Sequence, residues 1–364
     1  MGPFGTMMIL PMFPELRTTF GASSEAVTWG LSAYLLPMAA LLLVSGTLGE
    51  RFGRSRSLRV SLLCYAGASI GTALAPSLAL FLVGRGLQGV CNAFFTPLLL
   101  ASLADLTPPD RLGSRVGIYS SFQAAGGALG PLVGGIAADS SWRIAYLGTA
   151  VVAVAISSVL PAQPLAVRAS ASAASFLRSL MTPRMLLIGT AAFLFAAGPY
   201  AGSVLVGLKA RDLLGLDATD AGLIILLGSA AGFVAGPFWG KLADRIGPAK
   251  AGVAATAAAG AAFASLSIPQ RWLPLVIVWM ATGAASVGVI TALGSIAASA
   301  VPTNRSGALS ASMSFRFAGH ALGPIVWVPV FTRSPAWAFV GAGTLGIIAA
   351  TSFLALTISW RSRP

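Results

Sequence analysis

The chain has 364 residues, of which 56% are hydrophobic and only 9% are charged. Soluble domains carry roughly a quarter charged residues, so this composition excludes an ordinary soluble protein. A formal net charge of +13 is also typical of nucleic-acid-binding proteins. Here, however, the basic residues concentrate in every second loop, which is the pattern that sets membrane orientation, and we expect no nucleic-acid partner. The sequence predicts an all-α integral membrane protein, because only helices or closed barrels satisfy their backbone in lipid and continuous apolar runs indicate helices.

In chain order, apolar runs separated by turn residues predict twelve helices. Their approximate cores are 1–14, 27–49, 58–75, 78–104, 114–138, 143–162, 184–208, 219–241, 250–267, 273–300, 307–331 and 336–359. The first core gives only ~21 Å of helix against ~30 Å of hydrocarbon. This favours a first helix that begins upstream in the natural protein, so that helix 1 is shortened here; a short span in a thinned bilayer is the alternative. Lys209 and Arg211 are assigned to a loop after the seventh helix.

The two halves of the chain repeat. GTLGERFGRSR at 46–56 matches GKLADRIGPAK at 240–250, and QAAGGALGP at 123–131 matches RFAGHALGP at 316–324. The polar stretch 165–183 is predicted to be a cytoplasmic linker between six-helix bundles at 1–164 and 184–364. Parallel repeats of this kind are typical of secondary transporters, whose halves are related by a pseudo-two-fold axis and hold the transport site between them.

Three motifs resemble those of the major facilitator superfamily (MFS), and within it the twelve-helix drug:proton antiporters. The first is a loop motif with two copies, formed by Gly46, Leu48, Glu50, Arg51, Gly53 and Arg54 and by Gly240, Asp244, Arg245 and Gly247. The second is RGLQG in helix 4, with Arg85, Gln88 and Gly89. The third, in helix 5, consists of Gly117, Gly126, Gly130, Pro131, Gly134 and Gly135. The resemblance implies the MFS fold of two six-helix bundles and transport by alternating access.

The loop motif predicts a cytoplasmic latch. Glu50 lies at the unfavourable end of its own helix dipole, so we expect its partner at the N-terminus of helix 11, near 304–307. Asp244 would face the start of helix 5 near Ser114 in the same way, and Asp105 is a predicted partner of Arg51 or Arg54. The alternative is that these residues only shape a tight turn and anchor the topology.

Arg85 and the glycines of helix 5 each allow two interpretations. An arginine deep in the membrane costs roughly 2.5–3.5 kcal/mol and usually faces a cavity or a partner, so Arg85 is either a cavity site or a structural cation bonded to backbone carbonyls. Small residues four apart permit close helix approach, and Pro131 bends the helix. Helix 5 is therefore predicted to seal the interface between the halves against the row Gly228, Gly232 and Gly236 of helix 8, with ordinary tight packing as the alternative.

The candidate proton and substrate site centres on helix 11, where Arg316 and the single histidine, His320, share one face. Burial and the neighbouring arginine would favour a neutral imidazole, so His320 is either a proton carrier or a hydrogen-bonded interface residue. The other candidate residues are Gln123, Tyr34, Tyr119, Phe122 and Trp279. None of the ten acids is predicted at mid-membrane, which leaves Asp139, His320, Arg85 or a missing part of helix 1 as the carrier.

The sequence thus predicts a proton-coupled exporter of small apolar or amphiphilic compounds in the bacterial inner membrane, with a cytoplasmic C-terminus. It contains no nucleotide-binding loop, no nucleophile motif and no metal cluster, so we expect no enzyme activity and no cofactor besides the proton gradient. The expected partners are a small-molecule substrate, protons and the lipid bilayer, and the expected unit is a functional monomer. The alternatives are an MFS uptake permease for a sugar or metabolite and a non-transporting membrane receptor or assembly subunit.

Overall fold

The computed structural model describes residues 2–160, 182–301 and 305–361. Over these residues the chain forms twelve helices and no strand, as the sequence predicts. The helices are α1 (Gly2–Met7, Leu10–Met12 and Phe13–Phe20), α2 (Ser24–Arg51), α3 (Arg54–Ala73), α4 (Leu78–Leu106), α5 (Pro109–Ser140), α6 (Trp142–Val159), α7 (Pro183–Phe195, Ala196–Tyr200, Ser203–Leu208 and Lys209–Leu213), α8 (Ala218–Ile246), α9 (Pro248–Ser265), α10 (Trp272–Ala300), α11 (Arg305–Arg333) and α12 (Pro335–Arg361).

The chain folds as two compact units. The first consists of Met1–Ala173 with Asp217–Gly222, and the second of Ala174–Leu216 with Leu223–Pro364. The first turn of α8 is therefore grouped with the first unit. The predicted division at 1–164 and 184–364 stays a prediction, and most of the predicted linker 165–183 lies outside the described residues.

The repeat predicted from the sequence is visible in the turns. The positive-φ residues of the described chain are four glycines, Gly21 (58°), Gly53 (88°), Gly215 (66°) and Gly247 (87°). They form two equivalent pairs, one in the loop that precedes α2 and α8 and one in the loop that follows them. Only glycine adopts this backbone conformation without strain, so both copies of the loop motif need glycine at this position.

The first helix is short and bent. Pro11 and Pro14 interrupt its hydrogen-bond ladder, and a 3-10 turn at Leu10–Met12 separates two helical pieces. The helix continues to Phe20, beyond the predicted end at residue 14. Its side chains at Met8, Ile9 and Leu10 are buried, so even this short element contributes to the core of the first unit.

Seven helices among the described residues are long and apolar enough to cross a membrane, including Ser24–Gly46, Leu78–Leu103 and Ala218–Ile246. Large apolar side chains remain exposed on such helices, with 59% of Val83, 69% of Val151 and 78% of Val234 accessible. A water-soluble protein rarely leaves so many neighbouring apolar side chains uncovered, whereas lipid chains are a suitable neighbour for them.

Candidate functional site

Arg85 of α4 is fully buried in the first unit. Its Nε donates a hydrogen bond to the carbonyl of Gly30 at 3.0 Å, and one terminal nitrogen donates to the carbonyl of Gly5 at 3.1 Å and to Oε1 of Gln88 at 2.8 Å. The guanidinium carbon also lies 4.4 Å from the centre of the Tyr34 ring. This geometry matches the structural interpretation of Arg85, because carbonyl dipoles and an aromatic face stabilise the cation.

Gln88 extends this network of α4, α1 and α2 to a fourth helix, α3. Its Nε2 donates to Oγ of Ser69 on α3 at 2.7 Å, and that hydroxyl donates to the carbonyl of Tyr65 at 2.8 Å. A Cβ added to Gly89 would overlap the Tyr34 carbonyl, so the glycine lets α4 and α2 approach closely. The Arg85–Gln88–Gly89 motif therefore ties α1, α2, α3 and α4 together.

The glycines of α5 contact α1 of the same unit. A Cβ on Gly126 would lie 3.6 Å from Cβ of Phe4, and one on Gly130 would lie 2.9 Å from the Phe4 carbonyl oxygen. On Gly134 it would overlap the carbonyl of Met8. The sequence predicted close approach at this row but assigned it to helix 8. The described contacts of these three glycines are with α1, because a glycine on α5 has no side chain to keep the Phe4 and Met8 backbone away.

The predicted counterpart of this row in α8 packs elsewhere. A Cβ on Gly228 would overlap the Trp279 indole, and one on Gly232 would lie 2.9 Å from the carbonyl oxygen of Gly283. Both neighbours belong to α10 of the second unit. These neighbours of Gly228 and Gly232 lie within the second unit, and the prediction that the two glycines face helix 5 stays a prediction. Trp279 is a buried packing residue whose Nε1 donates to the Ile225 carbonyl at 3.4 Å.

The end of α5 does meet the first turn of α8, within the first unit. Gly135 allows the Ala218 carbonyl to approach, and Gly222 in turn allows the Pro131 carbonyl to approach. Asp139 accepts a hydrogen bond from the Ala218 amide at 3.2 Å and a second, short one from the Thr219 hydroxyl. Asp139 thus caps the start of α8, which supports a structural role for it over a role as proton carrier.

A cleft of about 130 Å³ in the first unit brings together several predicted residues. Nε2 of Gln123 donates to the Tyr119 hydroxyl at 2.6 Å and to Oγ1 of Thr96 at 3.1 Å, and the Tyr119 hydroxyl lies 3.3 Å from that oxygen. Phe122, which is 75% exposed, also lines the cleft. Tyr34 does not line it, since its ring is buried against Arg85.

Two polar residues of this cleft, Asn92 and Thr96, were not predicted. Both lie on α4, one and two helical turns beyond Gln88, and the sequence pattern shows only an apolar helix there. The positions follow the face that carries Arg85 and Gln88, so an argument from helical periodicity could have found them.

In the second unit, Arg316 and His320 of α11 lie against Tyr200 of α7. The His320 ring centre is 4.9 Å from that of Tyr200, edge to face, and the Arg316 guanidinium carbon is 5.8 Å from it. His320 is fully buried, and neither of its ring nitrogens has a hydrogen-bond partner among the described residues. Nε of Arg316 is also without one there.

The helix opposite this cluster is broken. α7 contains a π-helical segment, Ala196–Tyr200, in which Gly198 is non-helical (φ −98°, ψ −109°) and precedes Pro199. Trp327 of α11 donates its indole N–H to the carbonyl of Ala197, next to the break, at 2.8 Å. Gly323, also on α11, packs against the same carbonyl. α11 therefore satisfies part of the backbone that the break leaves unpaired.

The structure corrects the assignment of Lys209 to a loop. It lies inside α7 rather than in a loop and is only 3% exposed. Its Nζ donates to the Leu266 carbonyl at the end of α9 at 2.7 Å and lies 5.2 Å from the centre of the Phe339 ring. A cation at a helix C-terminus complements the helix dipole, so Lys209 has a packing role that its position near a helix end concealed.

The predicted latch falls largely on side chains that the structure does not describe. These are Glu50, Asp105, Ser114 and residues 302–306. Gly117 of the helix 5 motif is also outside the described side chains. Within the described loop copies, Arg51, Asp244 and Arg245 are exposed, Arg54 is buried, and Gly46, Leu48 and Gly240 are partly buried. The described residues thus establish the turn geometry at Gly53 and Gly247, while the latch stays a prediction.

Comparisons with known proteins give the family and the fold. Residues 1–268 and 188–364 match the family described as the Major Facilitator Superfamily. The chain is 35% identical over 123 residues to the tetracenomycin C resistance and export protein of Streptomyces glaucescens, which covers 34% of this chain and 23% of that protein. It is 33% identical over 136 residues to the drug efflux pump JefA of Mycobacterium tuberculosis, with coverage of 37% and 27%.

The similarity to a solved structure extends over the whole chain. The crystal structure of a bacterial homolog to the human lysosomal transporter Spinster, inward-facing and unoccupied, has a TM-score of 0.76 and 16% sequence identity. It covers 100% of this chain and 95% of that chain. At this identity the likeness establishes the fold alone. The two sequence relatives are matched over less than a third of their own length.

Proposed function

The chain belongs to the major facilitator superfamily and is a multi-pass membrane protein, and on this premise we propose that it exports small apolar or amphiphilic compounds in exchange for protons. We assign it no enzyme activity and no cofactor, since the proton gradient would supply the energy. We place it in the bacterial inner membrane as a functional monomer. The concentration of basic residues in alternate loops supports a cytoplasmic C-terminus.

The packing of α5 on α1 carries the proposal. Three glycines of the antiporter-like motif, Gly126, Gly130 and Gly134, hold α1 at backbone distance. Helices in such contact move together, and alternating access requires bundles that move as rigid bodies. The export direction rests on the resemblance of this motif to that of antiporters and on the relatives, which are named for drug efflux and antibiotic export.

The polar cleft supports the substrate class. One end of it carries the neutral groups of Gln123, Tyr119 and Thr96, and the rest is lined by apolar side chains such as Leu58, Leu62 and Phe95. Apolar walls with a few convergent polar groups suit amphiphilic compounds. The described part of the cleft offers no carboxylate, so a preference for cationic drugs has no support there.

The test is export from an efflux-deficient bacterial host that expresses the full chain, screened against a panel of antibiotics and dyes. We expect lower accumulation of at least one compound, reversed by a proton uncoupler. Everted membrane vesicles then give the direction, because an antiporter should load the compound when the interior is acidified. Loading in right-side-out vesicles instead would indicate the uptake permease, and absence of any proton-linked flux would indicate a receptor or assembly subunit.

A further inference from the structure

Arg316 and His320 on α11 differ in charge from the residues at the equivalent positions of α5, Gln123 and Gly127. Gln123 becomes Arg316 and Gly127 becomes His320 in the repeated sequence. In the first unit the glutamine is satisfied, since its Nε2 donates to Tyr119 and Thr96. In the second unit Arg316 forms no ion pair with any residue that the structure describes, and its guanidinium carbon lies 5.8 Å from the centre of the Tyr200 ring and 5.4 Å from that of Phe317. Aromatic faces stabilise a cation only in part, so this charge lacks a counterion.

Three buried nitrogens of Arg316 and His320 lack a hydrogen-bond partner in the described structure. Both nitrogens of His320, which is 0% exposed, and Nε of Arg316 have no partner among the described residues. A buried imidazole without hydrogen bonds is costly, as is a guanidinium without an anion. Residues four apart on a helix lie on the same face, and His320 and Arg316 both contact Tyr200 there, although no hydrogen bond joins them in the described structure. A neutral imidazole can accept a hydrogen bond from a guanidinium N–H once the arginine turns toward a ligand.

From these observations we propose that Arg316 binds the acid group of an amphiphilic aromatic carboxylate, and that His320 is a positioning residue that orients the guanidinium. The planar fork of arginine bonds a carboxylate at two points, while the Tyr200 and Phe317 rings accept the aromatic body of the ligand. Arg316 is only partly buried, so its terminal nitrogens remain accessible. This inference rests on the proposed function and narrows its substrate class.

The test compares naphthalene-2-carboxylate with its neutral carboxamide, both measured for binding to the full chain in phosphatidylcholine nanodiscs. We expect the carboxylate to bind about tenfold more tightly or better, as a charge-assisted hydrogen bond implies. Arg316→Gln, which restores the residue of the first unit, should remove this preference by lowering the affinity for the carboxylate to that for the carboxamide. Arg316→Lys should keep part of it. Arg333→Gln, at the exposed end of the same helix, is the matched control and should keep all of it.

The ratio of the two affinities isolates the role of His320. His320→Ala should lower the carboxylate-to-carboxamide ratio, and His320→Gln, which retains an acceptor, should restore part of it. A packing role alone would weaken both ligands equally and would overturn the positioning role. Phosphatidylglycerol added to the nanodiscs should not compete; if it displaces the carboxylate, the site binds a lipid headgroup and the proposal of a small-molecule ligand is wrong.

The same ligand pair in proteoliposomes separates the two proposals. Carboxylate binding that depends on Arg316, without proton-driven transport, would refute the proposed function and leave this site standing. Proton-driven export with equal affinity for both ligands, or with no effect of Arg316→Gln, would refute the site and leave the proposed function standing.

Discussion

The contact between α5 and α1 predicts that Gly134→Ala destabilises the protein. A Cβ at this position would lie 2.9 Å from the carbonyl carbon of Met8, whereas ordinary contact begins at 3.4 Å. The carbonyl oxygen of Met8 lies closer still and would overlap this Cβ. The helices therefore have to separate before the methyl group fits, and such overpacking costs about 1–3 kcal/mol. Gly126→Ala is the matched control on the same helix, because its Cβ would meet Phe4 at 3.6 Å, an ordinary distance.

The assay is unfolding of the purified full chain in mixed micelles titrated with sodium dodecyl sulfate and followed by tryptophan fluorescence. We expect Gly126→Ala to match the parent protein and Gly134→Ala to lose free energy of unfolding in the stated range. Equal stability of the two variants would refute the close approach of α5 and α1.

A second control depends on whether the added methyl group meets backbone or side-chain atoms. The obstacle to Gly134→Ala is backbone, so Met8→Ala should not restore its stability. The obstacle to Gly228→Ala is the Trp279 side chain, so Trp279→Phe should partly restore that variant. Rescue of Gly134→Ala by Met8→Ala would show that side chains, and not backbones, set the spacing.

Substitutions at three other residues test contacts by the same titration. Arg85→Gln leaves two buried carbonyls unpaired, and at roughly 1–3 kcal/mol for each it should be the most damaging. Trp327→Phe deletes the indole donor to the Ala197 carbonyl at 2.8 Å and should cost about 1 kcal/mol. Asp139→Ala removes the acceptor for the Ala218 amide and should also cost about 1 kcal/mol, whereas Asp139→Asn keeps an acceptor and should cost little. An Arg85→Gln loss no larger than that of Trp327→Phe would contradict the network described for Arg85.

Features that repeat along the sequence could be predicted. The loop motif predicted equivalent turns in the two halves, and Gly53 and Gly247 adopt nearly the same φ, 88° and 87°. The twelve apolar runs predicted twelve helices, since each run is long enough to be distinguished from its neighbours by turn residues. Both predictions use local patterns that do not depend on which helices are neighbours.

Partners between helices could not be predicted in the same way. Spacing in α5 predicted a close approach but not α1 as the partner, because a glycine row carries no information about what faces it. Arg85 was expected to need a partner, yet its partners at Gly5 and Gly30 are backbone carbonyls, which every residue possesses. Lys209 was assigned to a loop because a charged residue follows the apolar run there, whereas α7 continues through a π-helical segment, Lys209–Leu213.

The hydrogen bonds of Arg85 have a consequence for biosynthesis. Arg85 follows all of these partners in the chain. They are the carbonyl acceptors of Gly5 and Gly30 and the hydroxyl of Ser69, to which Gln88 donates. A guanidinium that enters lipid alone costs roughly 2.5–3.5 kcal/mol. When the ribosome delivers α4 to the translocon, the three earlier helices are already present to receive the charge. The order of synthesis therefore matches the order in which this arginine needs its neighbours, and a circular permutant that begins at α4 should insert poorly.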